Sequence, residues 1–250
     1  MEQIYLFSKK NVFVKNMKNF SWNDLYKDLE NSKEESYREF SQKLSPDIKI
    51  LGVRIPIVRK IALRYLKEYS TEELLSSPLP DNAYLEEKLC KAIFIGRAKI
   101  DEKKRIDHVK EFLSYIDGWA ICDGFCSELK ACKDNHKLYY PLIKKCFKVQ
   151  SKPFTLRFAC VMSLMYFSDA KYEDEIISYL NNINTEEYYV HMGVAWLIAT
   201  LYTKNGQSVL DKVNSIVLDD KTYNKALQKI TESNYVSKET KVQIRKMKRR

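Results

Sequence analysis

Glycine and proline each occur only six times in 250 residues, and this scarcity constrains the fold more than any other feature. Both residues punctuate regular structure, so long stretches without them favour long continuous elements. Within those stretches apolar residues recur every three or four positions and do not alternate, the pattern of amphipathic helices. The chain therefore reads as all-α. Helices are expected over 21–30, 34–44, 56–69, 82–99, 103–115, 119–130, 134–149, 153–167, 172–182, 186–204, 208–218 and 237–248, with a further one within 220–234. Start signals agree with several of these. Gly52 supplies a turn before Pro56 in a first helical turn, Pro153 precedes an apolar run, and Asn184-Thr185 with Glu186 and Glu187 suit a helix N-terminus.

A hydrophobic content of 45% against 30% charged residues belongs to a folded chain and excludes a disordered one. The net charge of +10 favours a polyanionic partner, but the last ten residues, KVQIRKMKRR, hold six positive charges and no acid. Residues 241–250 are accordingly read as a basic C-terminal tail, residues 18–240 as one solenoid domain, and residues 1–17 as a loose N-terminal arm. The six cysteines are scattered through helical patterns, which points to reduced thiols and a cytoplasmic protein. No signal peptide or membrane-spanning run is expected.

Spacing supplies the organising clue. Trp119 lies 38 residues before Arg157, and Arg157 lies 39 before Trp196, each an unusual member of a strongly apolar helix. A recurrence near 40 residues of paired helices is the mark of a HEAT-like solenoid, in which the inner helices line one concave face. In DGWAICDGF, Trp119 and Asp123 are one helical turn apart and share a face. A carboxylate in such a stripe has three readings: a metal ligand, a paired acid in a core helix, or a reactive group. Cys122, Cys126, Cys132 and His136 follow a C-x3-C-x5-C-x3-H pattern, too loose for a structural zinc knuckle, so no metal is expected. Arg157 is read either as a structural ion pair or as a phosphate clamp. The histidines occur singly and there is no glycine-rich phosphate loop, which leaves nucleotide hydrolysis unsupported.

Four motifs in order, GVRIPIVR at 52–59, WAICD at 119–123, TLRFA around Arg157 and VAWLI around Trp196, make the chain resemble the AlkD-like DNA alkylation repair family of HEAT-like-repeat glycosylases. The resemblance runs from about residue 20 to 240. It implies excision of purines made cationic by alkylation at N3 or N7 in double-stranded DNA, by a monomer without cofactor, nucleoid-associated when bound. It further implies that Asp123 is the catalytic carboxylate, that Trp119 and Trp196 flank the lesion's deoxyribose, and that Arg157 contacts the DNA backbone.

Elementary chemistry agrees with that activity. A cationic purine is already a good leaving group, and breaking its glycosidic bond builds an oxocarbenium-like sugar that a carboxylate stabilises. One departure stands out. Where the family carries a lesion-site tyrosine, Phe40 occupies the matching place and Tyr37 is out of register. Two other readings follow from the same residues, a noncatalytic protein that binds damaged or branched DNA and a protein-binding scaffold.

Overall fold

The computed structural model describes residues 19–249, so the arm expected over 1–17 lies outside the described residues. The described residues form α1 (Trp22–Glu30), α2 (Glu35–Leu44), α3 (Ile55–Glu68), α4 (Thr71–Ser76), α5 (Leu85–Arg97), α6 (Glu102–Phe112) and α7 (Trp119–Glu128). They continue with α8 (His136–Phe147), α9 (Pro153–Tyr166), α10 (Ala170–Leu180), α11 (Tyr188–Asn205), α12 (Ser208–Asn214), α13 (Asp220–Glu232) and α14 (Lys238–Lys246), with no strand among them. None of these helices is long and apolar enough to cross a membrane.

From α3 onward the helices stack in two layers. The odd-numbered members α3, α5, α7, α9, α11 and α13 each pack on the next, while α6 meets α8 and α10 meets α12 in a second layer. This is a helical-repeat solenoid, in which each pair buries its apolar surface only against its neighbours. Sequence explains which helix goes where. α9 and α11 are apolar on nearly every side and are buried along most of their lengths, whereas α13 and α14 carry one apolar stripe and close the end of the stack. Side-chain caps set several starts: Asp101 accepts the N–H groups of Lys103 and Lys104, Asp219 that of Thr222, and Ser237 that of Thr240.

Glu86, buried at the start of α5, accepts the backbone N–H groups of Leu51, Gly52 and Val53 at 2.8–3.0 Å. A buried carboxylate needs such donors. Gly52 bends the segment at φ +93°, and an added Cβ there would lie 2.6 Å from that of Arg38. These contacts fix the loop that places α2 beside the odd layer.

Two features differ from the sequence reading. α4, the six-residue TEELLS, is unanticipated, because one turn and a half offers too short a window for periodicity to register. The division expected at 240 falls inside α14. Ile244 is buried, and the Arg249 guanidinium lies 3.9 Å over the Tyr223 ring while donating to the Leu218 carbonyl. The basic segment is thus anchored to the end of the stack at Ile244 and Arg249, while Val242, Gln243, Arg245, Lys246 and Lys248 between and around them stay exposed.

Candidate functional site

Trp119 opens α7, and its indole N–H points at the Leu44 carbonyl at the end of α2, 3.4 Å away. Asp123 follows one turn later. Its two oxygens accept hydrogen bonds from Nε and Nη2 of Arg157 on α9, at 2.9 and 2.7 Å. Nη1 of the same guanidinium donates to the Tyr189 carbonyl on α11 at 2.8 Å. Of the two readings of Arg157, the structure displays the ion pair: its side chain is 7% exposed and that of Asp123 20%. Burial works against the Arg157 charge, but the hydrogen bonds and the attraction of Asp123 outweigh it and hold the guanidinium above its ordinary value. Two parallel charge-assisted bonds fix the carboxylate plane while leaving each oxygen a further lone pair.

Gly193 carries the arrangement into α11. A Cβ there would stand 3.5 Å from the Cys160 Cβ and 3.6 Å from the Arg157 Cγ, so the glycine lies directly against the arginine stem. Trp196 is three residues further along the same helix and is 36% exposed. Trp119, Asp123, Arg157 and Trp196 are therefore joined in one line across α7, α9 and α11, by helical spacing within each helix and by contact between helices. Phe40 sits on α2, 59% exposed, one turn before Leu44, whose carbonyl faces the Trp119 indole. Tyr37 is turned to another task, with the Arg54 guanidinium 4.9 Å over its ring.

The family described as DNA alkylation repair enzyme matches residues 25–234, a span that includes every one of these positions. The chain belongs to that family. Searches of curated proteins and of solved structures give no match. Membership in the DNA alkylation repair family assigns the chain to the repair of alkylated DNA.

This family member also holds a second acid on α7, paired with arginines, that sequence reasoning missed. Glu128, at the far end of α7, accepts from Arg59 Nε and Nη2 on α3 at 3.1 and 2.6 Å, and from Arg97 Nε on α5 at 2.6 Å. Burial pushes this carboxyl up, but the hydrogen bonds from Arg97 and Arg59 prevail and hold it below its ordinary value. Both arginines remain partly exposed, whereas the glutamate is almost wholly covered. Gly96 makes room for it, since a Cβ at 96 would fall 2.7 Å from the Glu128 Cβ and backbone oxygen. The partners lie 69 and 31 residues from Glu128, so no local motif announces them. The cysteines weighed as metal ligands, Cys122, Cys126 and Cys132, are fully buried, and His136 pairs through Nδ1 with the Tyr172 hydroxyl at 3.0 Å.

Proposed function

We propose that the protein is a DNA glycosylase that hydrolyses the N-glycosidic bond of purines alkylated at N3 or N7 in duplex DNA. The observation that carries this reading is the Asp123 carboxylate, one helical turn after Trp119 and held in one orientation by Arg157, whose stem lies against Gly193, one turn before Trp196. In the reaction the C1′–N9 bond breaks with its electron pair passing to the cationic purine, which departs neutral. Asp123 offsets the positive charge that grows on the sugar and takes up the proton of the water that adds to C1′. Trp119 and Trp196 add cation–π attraction to the same charge, about 0.5–2 kcal/mol each. Arg157 acts through Asp123 as a positioning residue. Arg59 and Arg97, anchored by Glu128, contribute attraction for the phosphate backbone. Phe40 and Leu44 offer an apolar edge next to Trp119 where the damaged nucleotide would lie.

The deciding experiment is base release from methylated duplex DNA, followed by chromatography. The wild type is expected to liberate 7-methylguanine or 3-methyladenine, and Asp123→Asn to bind the DNA without releasing either. Tight binding with no release by the wild type would overturn the glycosylase reading in favour of a noncatalytic DNA-binding protein.

A further inference from the structure

Toward the C-terminal end of α11, away from Arg157, Trp196 forms part of a second feature. A cleft of about 690 Å³ opens between α11 and α13, lined by Trp196, Thr200, Thr203 and Lys204 on one side and by Lys229 and Tyr235 on the other. Its volume lies within the range of sites that enclose a small organic ligand. Tyr235, in the turn between α13 and α14, is 92% exposed, which leaves its whole ring open at the mouth of the cleft. The hydroxyls of Thr200 and Thr203 donate to the carbonyls of Trp196 and Thr200, so their oxygens remain available as acceptors. Lys229 makes no ion pair among the described residues, while Lys204 has Asp169 at 3.8 Å. Glu232, also on this wall, accepts from Gln228 at 2.8 Å.

Two exposed aromatic faces, an ammonium group without a carboxylate partner and hydroxyl acceptors are the components with which proteins hold single-stranded nucleic acid. An acidic peptide would satisfy the lysine but would leave both ring faces without a flat partner. We infer that the cleft between α11 and α13 holds one unpaired nucleotide of the bound DNA, its base against Trp196 and Tyr235 and its phosphate at Lys229. The inference rests on the reading of the neighbouring site as one that engages DNA. It adds a recognition element for strands that have locally left the duplex.

The test compares affinities, by fluorescence anisotropy, for a fully paired duplex and for the same duplex with a one-nucleotide bulge. One base stacked on aromatic rings corresponds to a preference of about tenfold. The wild type is expected to show it, Tyr235→Phe to keep it, and Tyr235→Ala to reduce it to near parity without changing affinity for the paired duplex. Parity in the wild type, or a full preference in Tyr235→Ala, would overturn the inference. So would micromolar binding of free deoxyadenosine monophosphate that is lost in Tyr235→Ala, since the occupant would then be a free nucleotide. Base release from paired methylated DNA is measured on the same preparations. Parity with release intact counts against the cleft alone, and a bulge preference without release counts against the glycosylase alone.

Discussion

Asp123 and Arg157 meet through two parallel hydrogen bonds although they lie on separate helices 34 residues apart in sequence. The fork sets the direction of the carboxylate, and a point charge cannot do so. Arg157→Lys keeps the charge and removes the fork, so the rate of base release under single-turnover conditions is expected to fall about a hundredfold while DNA affinity is nearly retained. Equal losses in rate and affinity would instead make Arg157 a direct DNA contact. Arg157→Ala is expected to cost on the order of 3 kcal/mol of stability in urea unfolding, because it strands Asp123 beside the apolar interior.

Gly193 and Gly96 make opposite predictions for one chemical change. At 193 an added methyl group meets its neighbours at ordinary contact distance, 3.5 and 3.6 Å, and alanine is the better helix former. Gly193→Ala is expected to raise stability by up to about 1 kcal/mol. At 96 the same methyl group would press on the backbone of Glu128 at 2.7 Å, so Gly96→Ala must push α5 and α7 apart. Melting temperatures of the two variants are expected to move in opposite directions.

Glu128 predicts a pH dependence. Its folded-state carboxyl is held below the ordinary value of 4.5, so the folded protein binds its proton less readily than the unfolded chain. The stability this creates is fully present above 4.5 and is lost as pH falls through the lower folded value. Urea midpoints of the wild type and Glu128→Gln are therefore expected to differ most near neutrality and to converge in acid. A gap that stays constant with pH would contradict the assignment.

Trp119 and Trp196 are expected to be separable from stability to different degrees. Replacing either with alanine removes one indole and is expected to slow base release by a factor between about two and thirty. Trp196 is 36% exposed, so Trp196→Ala is expected to leave the melting temperature nearly unchanged. Trp119 also loses its contact with the Leu44 carbonyl, and its variant is expected to melt somewhat lower.

Helical periodicity is a local property, which is why nearly all the helices are legible in the sequence while the six-residue α4 is not. The line through Trp119, Asp123, Arg157 and Trp196 is also legible, because a repeat of near-constant length returns equivalent positions to one face. What spacing could not decide is the partner of Arg157. A guanidinium beside an apolar stripe satisfies its donors with a carboxylate or with a phosphate, and only the approach of α7 to α9 selects between them. Glu128, Arg59 and Arg97 come from three repeats without a shared motif, and the one local trace is Gly96 in the last turn of α5. At the C-terminus the density of charge suggested a solvated tail, but Ile244 and the Arg249–Tyr223 contact dock it.

The three helices that carry the line of site residues, α7, α9 and α11, all belong to the odd layer. One residue inserted into α9 ahead of Arg157 would turn the guanidinium about 100° away from Asp123. The same insertion in α10, or in the turns that flank it, leaves the fork in register. Relatives of this chain are therefore expected to differ in length mainly through the even layer and its turns, where growth and loss can accumulate without crossing the reactive line.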